Sequence, residues 1–108
     1  MTNQNANIQA KSPTECETMV DVREGVDAVD LQIVDLLVRR FGYMDAAARI
    51  KSDRDTVRDE TRKAQVISNV RRAALDGRIP QDVVAEMWET LVEGSIAYEL
   101  GRWDAIRG

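Results

Sequence analysis

Apolar residues recur at steps of three and four along the first half of the chain, and this spacing strongly limits how it can fold. Such a period fits a helix and does not fit a strand. We predict a helix that starts near the capping sequence Ser12-Pro13-Thr14-Glu15 and runs to about Lys51. Its apolar positions are Met19, Val22, Val26, Val29, Ile33, Leu36, Leu37, Met44, Ala47 and Ala48.

Two further helices are predicted after the polar stretch 52–56. The second is short, carries apolar residues between Val66 and Ala74, and ends near Gly77. The third opens at Pro80 and keeps one broad apolar face to Trp103, nearly at the carboxyl end. The predicted fold class is therefore all-α, with three helices in the order long, short, long.

The first helix is too long for a compact domain of this size. It would extend on the order of 50 Å at about 1.5 Å per residue, whereas a compact domain of this size has a radius of gyration of about 13 Å. A second copy of the chain would cover the overhanging apolar face most economically. We therefore predict an intertwined homodimer, with residues 12–108 as one helical domain and residues 1–11 as a disordered tail.

Composition excludes several classes of function. The formal net charge is −4, which gives no basic field for nucleic acid or an anionic membrane surface. There is no histidine and only one cysteine, Cys16, so the usual zinc sites and imidazole-dependent triads are ruled out. We expect no metal and no cofactor. No leader or membrane-spanning segment is apparent, so a cytoplasmic location is expected.

Three cations on the first helix are candidate ligands for a small anion. Arg40 and Lys51 are eleven residues apart, close to three turns, and can project from one face. Arg23 lies seventeen residues before Arg40, roughly 25 Å along the axis, and cannot reach the same small molecule within one subunit. If Arg23 binds the ligand, it does so in the partner's site.

Other candidates lie on the later helices. Val92, Ser95 and Glu99 share a face of the third helix and present an apolar wall, a hydroxyl and a carboxyl group. Asp59 and Arg62 stand at the start of the second helix. Each has an ordinary structural alternative: a helix cap for Asp59, a helix crossing for Ser95, a surface ion pair with Arg102 for Glu99, and solvent for most arginines and lysines.

Taken together, these residues resemble the all-helical chorismate mutase family. The resemblance covers about residues 13–107, and the spacing of Arg23, Arg40 and Lys51 matches that family's three substrate-holding cations. The loop 51–62 and the segment 98–103 look especially like the branch that contains the isochorismate pyruvate lyases. The segments that carry the resemblance are VREGVD (22–27), VRRF (38–41), RIK (49–51), VRD (57–59) and EGSIAYE (93–99).

The resemblance implies two equivalent sites in the dimer, each completed by Arg23 of the other subunit. Arg40 and that arginine would pair with the two carboxylates of chorismate, and Lys51 would reach its ether oxygen. Asp59 would accept a hydrogen bond from the ring hydroxyl, and Ser95 would lie against a carboxylate region. The expected reaction is the Claisen rearrangement of chorismate to prephenate in the shikimate pathway, toward phenylalanine and tyrosine, which needs no base or nucleophile.

Two positions depart from the family pattern. Glu99 stands where many mutases have a glutamine that donates to the ether oxygen, so we hypothesise that Glu99 is protonated in the working enzyme and that activity falls as pH rises. Lys63 stands where mutases commonly have a glutamate; it either points to solvent or marks a different substrate arrangement.

The leading hypothesis is chorismate mutase, because Asp59 matches an aspartate of mutases that the lyases lack. The alternatives are an isochorismate pyruvate lyase that forms salicylate, an amino-deoxychorismate mutase, and a non-catalytic metabolite-binding or regulatory dimer.

Overall fold

The computed structural model describes residues 10–108 and contains three α-helices within them. Helix α1 spans Met19–Ile50, α2 spans Glu60–Asp76 and α3 spans Gln81–Arg107, with lengths of 32, 17 and 27 residues. The predicted all-α class and the order long, short, long are confirmed. The predicted disordered tail over residues 1–11 lies almost entirely outside the described residues.

The predicted start of the first helix is wrong. The Glu15 carboxylate does accept hydrogen bonds from the Ser12 backbone N–H at 3.2 Å and the Ser12 hydroxyl at 2.9 Å. This capping interaction, however, encloses only a 3₁₀ turn, Pro13–Glu15, and Cys16 then adopts an extended conformation with ψ 134°. The capping sequence was predicted to start the long helix, but it starts only this short turn, and the helix does not continue from it.

A second capping interaction sets the true start of α1. The Asp21 carboxylate accepts from the backbone N–H groups of Glu17 and Thr18, and the Thr18 hydroxyl oxygen accepts from the Asp21 N–H at 3.2 Å. These bonds satisfy donors that the first helical turn leaves without intrahelical partners. Together with Lys11, which lies 3.2 Å from the carboxylate, they hold the pKa of Asp21 below its usual range.

The ends of α2 follow the sequence signals closely. Asp59 is its N-cap, and Gly77 is its C-cap with an ordinary helical conformation. Arg78 then takes the left-handed conformation, with φ 59°. The Arg78 N–H bonds to the Leu75 carbonyl and the Ile79 N–H to the Ala74 carbonyl, which is the Schellman pattern.

Helices α2 and α3 pack against each other. The chain divides into two compact units, residues up to 40 and residues 41–108, with α1 running through both. Within the described residues the buried apolar side chains are all small: Ala28, Ala48, Val57, Ala74, Ala85 and Val92. None of the three helices is long and apolar enough to span a bilayer.

Candidate active site

The predicted site residues fall in both units. Arg23 is exposed and Arg40 is half-buried, and both lie on α1 in the unit up to residue 40. The helix is unbroken between them, so the estimate of roughly 25 Å for their separation along the axis stands. The remaining predicted residues belong to the unit formed by residues 41–108: Lys51, Asp59, Arg62, Ser95 and Glu99.

The mixed face predicted on α3 is buried. Val92, Ser95 and Glu99 are 7%, 3% and 4% exposed, so a hydroxyl and a carboxyl group lie at core level beside an apolar wall. The Ser95 hydroxyl donates to the Leu91 carbonyl at 2.7 Å, one turn earlier in the same helix. Burying a carboxyl group without partners is costly, so the surroundings of Glu99 decide what this face can do.

Lys51 provides the partner for Glu99. Its Nζ lies 2.8 Å from Glu99 Oε2, and the two side chains are 30% and 5% exposed. The contact is an ion pair without hydrogen-bond geometry, since no donor within residues 10–108 is aligned with this oxygen. Lys51 is the first residue beyond α1. Because its side chain is partly exposed, its ammonium group contacts both the buried carboxyl and solvent.

The predicted alternative partner of Glu99 is wrong. Arg102 directs its Nε to Asp45 Oδ1 at 3.2 Å, and the Tyr98 hydroxyl donates to the same oxygen at 2.7 Å. That hydrogen bond to a carboxylate raises the pKa of Tyr98. Tyr98 and Arg102, which are four residues apart and share a face of α3, thus bind the Asp45 carboxylate, and the guanidinium of Arg102 faces Asp45 rather than Glu99.

Sequence reasoning missed the contacts that hold the backbone of Lys51. The Trp103 indole N–H donates to the Lys51 carbonyl at 2.9 Å. The Arg107 guanidinium donates to the same carbonyl at 2.6 Å and to the Ala48 carbonyl at 2.9 Å. Trp103 was interpreted only as a core residue; the spacing 99, 103, 107, which places three residues on one helix face, could have linked it to Glu99.

Asp59 and Arg62 have local structural roles. Asp59 Oδ1 accepts from the Arg62 backbone N–H at 3.0 Å, as an N-cap does, and the Arg62 guanidinium donates to Gln65 at 3.2 Å. Both residues are exposed. The structural alternative for Asp59 is therefore correct, although the cap uses one of its two carboxylate oxygens.

The expectation that Lys63 points to solvent is wrong. Its side chain is 19% exposed, and Nζ lies 2.7 Å from Glu89 and 2.8 Å from Glu93, so it joins α2 to α3 rather than pointing to solvent. Arg58 also binds Glu93, at 2.6 Å. These two cations lower the pKa of Glu93 to about 2, and the two carboxylates raise the pKa of Lys63.

Comparison with known proteins decides the family. The chorismate mutase type II model matches residues 22–100, a range that includes all seven predicted site residues, with Lys51 and Glu99 among them. The chain belongs to the chorismate mutase type II family. The match confirms the resemblance seen in the sequence and its all-helical class, and it makes the chain a member of a family of enzymes that convert chorismate-type substrates.

A curated relative points to one branch of this chorismate mutase family. An isochorismate pyruvate lyase from Pseudomonas aeruginosa is 30% identical over 98 residues, which cover 91% of this chain and 97% of that protein. The similarity therefore spans nearly the whole length of both proteins. It confirms the likeness to the lyase branch that the segments 51–62 and 98–103 indicated.

Proposed function

We propose that the chain is a chorismate mutase that rearranges chorismate to prephenate. The observation that carries the proposal is the pair formed by Lys51 and the buried Glu99, 2.8 Å apart. A Claisen rearrangement moves charge onto the ether oxygen as its bond breaks, and a fixed ammonium group in a poorly solvated place stabilises that charge. The substrate needs only to be held in a compact conformation beside it.

The other substrate contacts complete this proposal. Arg40 binds one carboxylate of the substrate as a bidentate donor, Arg23 of the partner subunit binds the other, and Ser95 lies against a carboxylate region. Asp59 accepts from the ring hydroxyl through the oxygen that the helix cap leaves available, with Arg62 beside it at the start of α2.

The role of Arg23 requires a homodimer, which we propose on the basis of α1. Six large apolar residues at steps of three and four are each between 37% and 60% exposed: Met19, Val22, Val26, Val29, Ile33 and Leu36. Burying one such side chain contributes about 1.5–3 kcal/mol, so covering the stripe with a second copy is strongly favourable. Sedimentation that found a folded monomer at micromolar concentration would contradict this assembly.

Glu99 is protonated in the proposed working state, with substrate bound, whereas in the free protein its carboxylate forms the ion pair with Lys51. The charge of a carboxylate so near the ether oxygen would oppose the negative charge that develops there, whereas a carboxylic acid can donate a hydrogen bond to it. Activity then falls as pH rises, and Glu99→Gln, which donates at every pH, has a flatter profile. A Glu99→Gln enzyme with the pH dependence of the parent would refute this role.

An isochorismate pyruvate lyase is the second candidate, and the 30% identity to such an enzyme over most of the chain favours it. The ion pairs of Lys63 with Glu89 and Glu93 also bear on this choice. A lysine held in this way lacks the acceptor that mutases commonly have there, so Asp59 alone would receive the ring hydroxyl.

Product analysis separates the two reactions. Purified protein is given chorismate and, in parallel, isochorismate over a range of pH, and prephenate, salicylate and pyruvate are quantified. Prephenate from chorismate supports the mutase; salicylate with pyruvate from isochorismate supports the lyase. Arg40→Ala should abolish either activity while the helical circular dichroism is kept, and Arg39→Ala, at the exposed neighbouring position, is the matched control.

Turnover of neither substrate would contradict both reactions. Aminodeoxychorismate is then the substrate to test next, and binding without turnover would indicate a metabolite-binding or regulatory dimer.

A further inference from the structure

One face of α3 contacts Lys51 at two places. Glu99, Trp103 and Arg107 follow one another at intervals of four residues and therefore form a row along the helix. Glu99 lies at the ammonium group of Lys51, and the other two bind its backbone carbonyl. Lys51 is thus bound by a single face of α3 at both its ammonium group and its backbone carbonyl.

The carbonyl contacts have a definite geometric effect. Lys51 follows the last residue of α1, where carbonyl groups lack intrahelical partners and the chain is free to change direction. Its N–H still bonds to the Ala47 carbonyl at 2.9 Å. The donors from Trp103 and Arg107 fix the other side of the residue, so the backbone cannot rotate and carry the ammonium group away from Glu99.

The two donors also support each other. The Arg107 guanidinium carbon lies 4.1 Å from the centroid of the Trp103 ring, a cation–π contact. Through its second donor Arg107 reaches the Ala48 carbonyl, so the same fork spans the last turn of α1 and the residue after it. A planar, rigid fork can bind two carbonyl groups in one orientation, which a lysine at position 107 could not do.

We propose that Trp103 and Arg107 are positioning residues that hold the Lys51 ammonium group where the reaction needs it. This inference rests on the proposed function of Lys51. Neither residue touches the substrate in this scheme; both act through the backbone of residue 51. Displacing a catalytic group by about 1 Å can lower a rate by two orders of magnitude, so the loss of one carbonyl donor lowers kcat far more than it changes KM.

The experiment compares Trp103→Phe and Arg107→Met with Arg54→Met. Phenylalanine keeps an aromatic ring but has no N–H donor. Arg54 is the matched control, because its guanidinium binds the Asp104 carboxylate on the same part of α3, at 2.8 and 3.1 Å, whereas the side-chain donors to the Lys51 carbonyl come from Trp103 and Arg107. We expect kcat to fall about tenfold or more in the first two variants with KM within about twofold, and the control to keep parental values.

A second readout does not depend on turnover. Lys51 is acylated with acetic anhydride and quantified by mass spectrometry, with Lys11 and Lys63, the other lysines of the chain, as internal references. Release of the Lys51 backbone should raise its labelling rate several-fold in Trp103→Phe and Arg107→Met but leave the reference lysines unchanged. Should Arg107→Met fail to fold by circular dichroism, Arg107→Lys, whose ammonium group lacks the fork that reaches both carbonyls, should give the same changes at smaller size.

Two results would overturn the proposal. Folded Trp103→Phe and Arg107 variants with parental kcat and parental Lys51 labelling would show that the carbonyl contacts do not position the lysine. Equal losses in Arg54→Met would show a general loosening of the end of α3. If the parent enzyme converts neither chorismate nor isochorismate, the proposed function fails, and the labelling rates still decide whether these residues position Lys51.

Discussion

Replacing Lys51 by methionine should destabilise the protein. The change keeps most of the side-chain volume but leaves the 5% exposed Glu99 carboxyl without its cation. Removing one partner of a fully buried ion pair costs about 3–5 kcal/mol. Because Lys51 is 30% exposed, water can replace part of the interaction, and we expect a loss of about 2–3 kcal/mol near pH 7.

The loss arises from the group that is left behind. In Lys51→Met the buried Glu99 carboxyl no longer has a cation beside it. The deficit relative to the parent should therefore largely disappear in Lys51→Met/Glu99→Gln, in which a neutral amide replaces the carboxyl group. Urea unfolding gives the free energy of unfolding of each variant. All variants are measured at one protein concentration, because the stability of a dimer depends on that concentration.

Lys63→Met is the matched control for this experiment. This substitution also removes ion pairs, but the partners of Lys63 are Glu89 and Glu93. Their side chains are 53% and 44% exposed and remain hydrated without the lysine. Exposed pairs contribute about 0–1 kcal/mol each. Equal losses for the two methionine variants near pH 7, or a Lys51→Met/Glu99→Gln variant no more stable than Lys51→Met, would refute the argument that Glu99 is a buried charge stabilised by Lys51.

Three smaller predictions concern other positions. Arg78→Gly should stabilise the protein by about 1 kcal/mol and Arg78→Ala should not, because only glycine relieves the left-handed conformation at φ 59°; thermal unfolding of both variants checks this. Asp59→Ala should lower the free energy of unfolding in urea by about 1 kcal/mol, because the side-chain cap of α2 is lost. Asp59→Asn should keep most of that stability, since asparagine also caps helices. The pKa of Glu93 is lowered to about 2 from its ordinary value of 4.5, so its contribution is present above about pH 4.5 and is lost as the pH falls toward 2. Acid unfolding of Glu93→Gln should therefore be less steep over that window, and a curve that matches the parent's would contradict this.

Periodicity and capping signals predicted the helices well where one signal stood alone. The ends of α2 at Asp59 and Gly77 and the start of α3 after Pro80 follow directly from such signals. The start of α1 was misjudged because two capping sequences lie close together and the sequence does not show which one encloses a full helix. Ser12 and Glu15 close a short turn, while Thr18 and Asp21 begin the helix.

Pairings between helices were harder to predict than the helices themselves. A cation such as Lys63 has several carboxylates within reach once α2 and α3 pack, and the choice of Glu89 and Glu93 depends on the angle between the helices rather than on sequence spacing. For Glu99 the nearest cation along α3 was Arg102, yet the pairing is with Lys51, nearly fifty positions earlier. Local spacing identifies which residues share a face, but it does not identify what that face meets.

The row formed by Glu99, Trp103 and Arg107 shows what additional reasoning could recover. Spacing by four residues places a carboxyl group, an indole N–H donor and a guanidinium along one line of α3. Such a line needs both a cation and carbonyl acceptors opposite it. A lysine at the end of a helix supplies both. Its side chain carries the ammonium group, and the backbone carbonyl groups around it lack intrahelical partners. Lys51, just beyond Ile50, is the lysine of this chain in that position, and the two independent features together could have predicted the pairing.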